Sequence, residues 1–162
     1  MQAQWDRFFE QGQPGMAEMP YIPCNGNHDL LVSPYYGQFA LPRDEINFGV
    51  RYGPLFFVSM TDFNPANQTA IGGEYAEFMD EAYTQNADAA WKFLVNHRPF
   101  YSASTRHGSA LDLQSDWGPI VDEHEVDMVF NGHDHNYERS RPIRNGEVVP
   151  FGEGTIFSVV AG

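Results

Sequence analysis

Two histidines separated by one residue follow a short apolar segment in the last third of the chain. They are His133 and His135, in the segment Gly132-His133-Asp134-His135. Residues two apart on an extended chain face the same side, so both imidazoles can point into one pocket. Neutral imidazole is a good ligand for zinc, iron and manganese ions. The pair could also be two surface histidines in a loop, but its position directly after a predicted buried strand favours a metal site.

A second polar turn offers further ligands at residues 26–29, which read Gly-Asn-His-Asp. The side-chain carbonyl of Asn27 can bind a metal ion without adding charge to the site. His28 can donate a hydrogen bond to a phosphoryl oxygen, and Asp29 can orient the His28 ring. An ordinary turn with no ligand explains the same four residues equally well, so this motif alone leaves both interpretations open.

Three other histidines differ in what their surroundings indicate. His97 follows the apolar segment 93–95 and is a candidate third imidazole ligand, although a single histidine at a strand end more often bonds to the backbone. His107 lies in the polar loop 102–109, where it could act as a general acid toward a leaving group. His124 lies in the acidic segment 122–125, which predicts a solvated surface residue.

The elements that must position these residues alternate between strands and helices, which predicts an α/β fold. We expect strands over 21–24, 47–52, 55–61, 90–95, 126–130 and 155–160, and helices over 73–83 and 111–124, the latter broken near Gly118 and Pro119. A helix end over 5–10 should stop at the Gly12–Gly15 cluster, residues 30–46 should form a loop, and 143–149 should form a hairpin turning on Asn145-Gly146. The histidines then follow the carboxyl ends of strands, where open α/β sheets bind ligands.

Composition narrows the range of partners. The chain has 162 residues and a formal net charge of −13, with Lys92 as its one lysine, so neither nucleic acid nor an anionic membrane is an expected partner. No apolar segment approaches the roughly 20 residues of a membrane helix. Cys24 is the one cysteine, which excludes an internal disulfide and a thiolate metal cluster. The histidines therefore carry most of the evidence for a metal site.

Taken together, these motifs resemble those of the calcineurin-like metallophosphoesterases, and of the purple acid phosphatases in particular. The resemblance rests on Gly-Asn-His-Asp at 26–29, Val-Asn-His-Arg-Pro at 95–99 and Gly-His-Asp-His-Asn-Tyr-Glu-Arg at 132–139, in the family's order. The closing segment 154–162 also resembles the strand that follows in the family. The resemblance implies the α/β fold of that superfamily, an αββα sandwich with metal ligands at the carboxyl ends of strands.

The resemblance also implies a role for each matching residue. Three residues would bind the second, divalent metal: Asn27, His97 and His133. His135 would bind the first metal, which is ferric iron in the purple enzymes, paired there with zinc, manganese or iron. Two histidines would contact the phosphate, His28 and His107, with His107 protonating the leaving group. Arg106 stands where plant-type members usually carry a further histidine, and as a permanent cation it could bind phosphate.

The implied activity is hydrolysis of small-molecule phosphate monoesters by a metal-bound hydroxide. A phosphodiesterase or nucleotidase on the same scaffold is the alternative among enzymes, and a non-catalytic metal-binding or structural fragment is the alternative outside them. The family's first two motifs, an aspartate-ended strand and a Gly-Asp-x-x-Tyr turn, are missing from residues 1–22. We therefore expect one domain over 1–162 that is incomplete at its N-terminus relative to the family and holds one metal ion or none.

The expected location follows from the family as well. Its members are mostly extracytoplasmic, which implies a secreted or periplasmic protein. The first ten residues contain neither the basic region nor the apolar region of a signal peptide.

Overall fold

A six-stranded sheet forms the centre of the computed structural model, which describes residues 2–29, 33–43, 45–62 and 71–161. Its strands are β1 (Phe48–Tyr52), β2 (Leu55–Ser59), β3 (Trp91–Val95), β4 (Met128–Asn131), β5 (Tyr137–Arg139) and β8 (Ile156–Val160), in the order β1-β2-β3-β4-β8-β5. The four central strands β2, β3, β4 and β8 are parallel, and the edge strands β1 and β5 are antiparallel to their neighbours. This mostly parallel sheet confirms the α/β prediction.

The described residues form five helices, and three of them cover one face of the sheet. The helices are α1 (Gln2–Met16), α2 (Ser33–Tyr36), α3 (Glu74–Gln85), α4 (Leu111–Asp116) and α5 (Gly118–Glu123). Buried residues of α3, α4 and α5 form one core with alternate residues of the strands, among them Met79, Leu113, Val121, Leu94 and Val129. The predicted break of the 111–124 helix occurs at Trp117, whose indole donates a hydrogen bond to the Ile71 carbonyl at 2.9 Å. No helix among the described residues is both long and apolar enough to cross a membrane.

The opposite face of the sheet carries aromatic side chains that are half-buried. Phe57 and Phe93 are register partners on β2 and β3, and their rings stack with centroids 4.8 Å apart. Phe130 on β4 continues the row at 6.1 Å from Phe93. Alternation along each strand sends these rings to one side and the core residues to the other.

A two-stranded hairpin lies beside the main sheet, as the sequence predicts. Its strands are β6 (Ile143–Arg144) and β7 (Glu147–Val148), paired antiparallel. Asn145 and Gly146 both have positive φ, 52° and 77°, which is the backbone of the two-residue turn that matches strand twist. The hairpin prediction is confirmed.

The prediction of a strand over 21–24 is wrong. Both edges of its neighbour β2 are occupied, by β1 and β3, and among the described residues the remaining strands form only the β6–β7 hairpin. The segment runs over the end of β2 instead, where the Ser59 hydroxyl donates to the Pro23 carbonyl at 2.9 Å. A strand needs a free edge to pair with, and an apolar sequence alone does not supply one.

Two further predictions differ from the structure at the N-terminal side of the chain. Helix α1 continues to Met16, because the Ala17 amide donates to the Gln13 carbonyl at 3.0 Å and the helical bonds resume after Pro14. The predicted loop over 30–46 contains the single turn α2, although 30–32 and 44 lie outside the described residues.

His124 is not the solvated residue that its acidic neighbours predict. Its side chain is 12 % exposed, and its Nε2 lies 2.7 Å from a carboxylate oxygen of Asp80 on α3. Its ring also packs against Tyr83, with centroids 5.5 Å apart. His124 therefore joins α5 to α3 at the amino ends of the strands, away from the other histidines.

Candidate metal centre

Two adjacent parallel strands deliver two histidines to the same edge of the sheet. Strand β3 ends at Val95 and leads to His97, and β4 ends at Asn131 and leads to His133. The strands are in register at Val95 and Phe130, and beyond them the Gly132 amide donates to the His97 carbonyl at 2.9 Å. The ladder thus continues one step past the strands and sets the two imidazoles side by side, with centroids 4.9 Å apart.

Three donor atoms converge between these strand ends and the turn at 26–29. The Nε2 atom of His97 lies 2.8 Å from the Oδ1 atom of Asn27 and 3.1 Å from the Nδ1 atom of His133. Two ligand atoms at about 2.1 Å from one ion, at right angles to each other, stand about 3 Å apart. The spacing of the donors around His97 therefore fits the cis ligands of a single divalent ion.

Two glycines make room for the His97 ring. A Cβ atom on Gly26 would lie 2.7 Å from both Cε1 and Nδ1 of His97, closer than side-chain carbons pack in real proteins. At Gly132 the corresponding distance to Nδ1 is 3.4 Å. The ring is therefore held against the backbone of Gly26, in a slot that a larger residue would fill.

Burial keeps the imidazoles of His97 and His133 neutral, which is the form of imidazole that can bind a metal ion. Desolvation, followed by repulsion from His133, lowers the pKa of His97 to about 4. Desolvation also lowers the pKa of His133, and the neighbouring His107 adds to that effect. Both rings are consequently unprotonated at neutral pH and present lone pairs to the centre.

His133 has a left-handed backbone, with φ of 67°. This conformation is uncommon outside glycine and asparagine and costs of the order of 1–2 kcal/mol. It forms part of a tight turn, in which the Asp134 amide donates to the Gly132 carbonyl and the Asn136 amide to the Asp134 carbonyl, both at 2.8 Å. Strained backbone of this kind concentrates at functional sites.

His107 lies beside these donors, in the loop between β3 and α4. Its ring lies over that of His133, with centroids 4.0 Å apart. A cavity of about 370 Å³ lies beside both rings and also meets Arg98 and Asp112. His107 is exposed, so it can reach a molecule in that cavity.

No cluster of three or more histidine, cysteine, aspartate or glutamate side chains among the described residues is arranged to hold a metal ion. The third donor at the centre is the amide oxygen of Asn27, which such a cluster does not include. The donor set is therefore two imidazoles and one amide, all uncharged.

Comparison with known proteins identifies the family of the chain. The family model for calcineurin-like phosphoesterases matches residues 2–137. The chain belongs to the calcineurin-like phosphoesterase family.

Individual relatives place it near the purple acid phosphatases within that family. Purple acid phosphatase 18 of Arabidopsis thaliana is 25% identical over 171 residues, covering 94% of this chain and 38% of its own length. Acid phosphatase type 7 of Homo sapiens is 29% identical over 167 residues, covering 88% and 38%. The chain thus spans about two fifths of the length of these relatives.

A solved structure shows the same fold. Purple acid phosphatase PPD1 from yellow lupin (Lupinus luteus) seeds superposes with a TM-score of 0.81 at 21% identity, over 97% of this chain and 33% of that one. Likeness to purple acid phosphatases implies a dinuclear metal site.

The structure places the other predicted site residues at the rim. His28 is exposed and lines a cavity of about 320 Å³ together with aromatic side chains that include Trp5, Tyr21 and Phe39. His135 is exposed two residues after His133. Arg106 is exposed, and its amide donates to the Ser104 hydroxyl at 3.2 Å.

Asp29 has a different role from the predicted one. Its carboxylate accepts a hydrogen bond from the Gly26 amide at 2.9 Å, and its own amide donates to the Gly26 carbonyl at 3.0 Å. The carboxylate therefore closes the turn that presents Asn27 instead of orienting the His28 ring.

Sequence reasoning missed the residues that anchor the His107 loop. The Ser102 hydroxyl donates to the Asp134 carboxylate at 2.7 Å, and the Ala103 amide donates to the Glu138 carboxylate at 2.8 Å. Asp134 is buried although it lies between two exposed or half-exposed histidines. The sequence shows an acidic residue between two candidate ligands, which was the available sign of a role for Asp134. It does not indicate the partner, Ser102, which lies 32 residues away.

Proposed function

We propose that the protein is a metal-dependent hydrolase of phosphate monoesters that acts on small-molecule substrates. The observation that carries this proposal is the convergence of three uncharged donors, from Asn27, His97 and His133, directly beside the accessible ring of His107. Family membership and the purple acid phosphatase relatives support the same class of reaction.

Uncharged ligands suit this chemistry in an acidic protein. The chain has a net charge of −13, which opposes binding of a phosphate ester. Divalent or trivalent ions would acidify a coordinated water and offset the charge of the phosphoryl group. Because Asn27, His97 and His133 add no negative charge, they would leave the full positive charge of the ion available to the substrate.

The exposed residues near the centre would have separate roles in the proposed reaction. His107 borders the cavity beside the centre, and we assign it the proton that the leaving oxygen takes up. His28, next to Asn27, would donate a hydrogen bond to the phosphate, and Arg106 would add a fixed positive charge. His135 would bind the first of two metal ions, which would be ferric iron as in the purple enzymes. The second ion would be zinc, manganese or iron.

Hydrolysis of p-nitrophenyl phosphate by the metal-loaded protein tests the proposal. We expect His97→Ala and His133→Ala to abolish turnover and to lower bound metal, each measured on protein shown to be folded by circular dichroism. His124→Gln is the matched control, since His124 lies at the opposite end of the strands and should leave turnover unchanged. Turnover at the wild-type rate in either alanine variant would contradict the assignment.

Two separate measurements test the ester class and the location. We expect turnover of p-nitrophenyl phosphate to exceed that of the bis ester, and the reverse order would favour a phosphodiesterase. We also propose a secreted or periplasmic location, which fractionation of the native cells would test.

A further inference from the structure

A buried carboxylate that is not a ligand lies directly behind the metal centre. Asp62 follows the end of β2 and is 0% exposed. Its Oδ2 atom accepts a hydrogen bond from the Nδ2 group of Asn96 at 3.1 Å and another from the backbone amide of Arg98. These two donors belong to the residues immediately before and after His97, so one carboxylate holds both neighbours of the ligand.

The same contacts extend to the next strand end. The Asn131 amide group donates to the Oδ1 atom of Asn96 at 2.8 Å, and Asn96 donates in turn to the Arg98 carbonyl, also at 2.8 Å. Asn131 is the last residue of β4 and precedes His133 by two positions. A chain of buried polar contacts therefore joins the ends of β2, β3 and β4 beneath the two imidazoles.

Stability alone does not account for this carboxylate. Burial raises the pKa of Asp62 to about 6, so the charged form is costly in this place. Its Oδ1 atom has no hydrogen-bond donor among the described residues, and the Nε atom of Arg98 is 3.9 Å away. Arg98 also makes a two-pronged pair with Asp112, at 2.9 and 3.1 Å. An apolar residue of similar size would avoid this desolvation cost, which indicates a positional role.

We propose that Asp62 is the positioning residue of His97: by binding Asn96 and the Arg98 amide together, it fixes the backbone that aims the His97 Nε2 atom at Asn27 and His133. The inference rests on the proposed metal-binding role of His97. Groups that hydrogen-bond to a metal ligand contribute about 10- to 100-fold to metal affinity, and we expect the same range for a carboxylate that holds both neighbours of the ligand.

Two aspartates that pair with the same arginine provide a matched test. Asp62→Ala removes the carboxylate oxygen that accepts from both donors. Asp112→Ala removes the other partner of the Arg98 guanidinium and leaves the backbone around His97 untouched. Zinc affinity of the protein, measured by competition with a chromophoric chelator, should fall about 10- to 100-fold in Asp62→Ala and less than about threefold in Asp112→Ala.

A spectroscopic readout separates positioning from general destabilisation. The visible ligand-field bands of the cobalt complex should shift in Asp62→Ala, because the ligand geometry changes, and remain unchanged in Asp112→Ala. If Asp62→Ala does not fold, Asn96→Ala removes one of the two contacts and should weaken zinc binding at least about fivefold. Wild-type affinity and cobalt bands in the folded Asp62→Ala protein, or wild-type affinity in Asn96→Ala, would overturn the proposal.

Failure of this proposal and failure of the proposed function can be distinguished. Hydrolysis of p-nitrophenyl phosphate by the loaded wild-type protein decides the function, whereas the ratio of zinc affinities between the two aspartate variants decides the role of Asp62.

Discussion

Adding one methyl group at Gly26 should displace the His97 ring. The Cβ atom of alanine would lie 2.7 Å from two atoms of that ring, whereas non-bonded carbon atoms are comfortable at about 3.5 Å. The ring must therefore move by about 0.8 Å, and metal–ligand distances tolerate only about 0.2 Å. We expect Gly26→Ala to weaken zinc binding at least about tenfold and to destabilise the fold by about 1–3 kcal/mol through overpacking.

Isothermal titration calorimetry with zinc measures this effect, and Gly118→Ala is the control variant. Nothing lies within 4 Å of the Cβ position at Gly118, so this control adds the same methyl group to open space. Gly118→Ala should bind zinc like the wild type and melt at the same temperature or slightly above it. Zinc binding within twofold of the wild type in Gly26→Ala would refute the argument that His97 is held against Gly26 as a ligand.

Other consequences concern the His107 loop and the two imidazoles. Glu138→Ala removes the carboxylate that accepts from the Ala103 amide, so kcat should fall about tenfold with bound metal unchanged; an unchanged kcat would show that His107 needs no anchor. The free energy of unfolding of His133→Asn should be about 1 kcal/mol higher than that of His133→Ala, because asparagine tolerates a left-handed backbone better; urea denaturation compares the two variants. For the metal-free protein, the folded-state pKa of His97 is about 4 against about 6.5 unfolded, so the unfolded chain takes up the proton first as pH falls through that window. The stability that His97 contributes should therefore fall by up to about 3 kcal/mol between pH 7 and pH 4.5, and urea denaturation at both pH values should show this fall to be absent in His97→Gln, which removes the group.

The sequence predicts the central sheet and the strand ends well because these follow from local patterns. Apolar segments such as 90–95 and 126–130 are bounded by polar turns, and parallel strands place those turns at one edge of the sheet. The approach of His97 to His133 follows from that topology alone. Asn27 was harder to assign, because its role depends on a turn whose alternative explanation the sequence leaves open.

The features that were mispredicted depend on contacts distant in sequence. The segment 21–24 is apolar enough for a strand, but both edges of β2 are occupied. His124 is packed because Asp80, 44 residues away, faces it. The carboxylates of Asp62 and Glu138 contact residues 34 to 36 positions away, and neither spacing nor composition indicates those partners.

Metal bound per chain, counted by elemental mass spectrometry after equilibrium dialysis against zinc, tests the central claim most directly. The three donors around His97 predict about one tightly held ion in the wild-type protein and a clear loss in folded His97→Ala. A folded wild-type protein without zinc, or equal zinc content in both proteins, would contradict the assignment of Asn27, His97 and His133 as a metal centre.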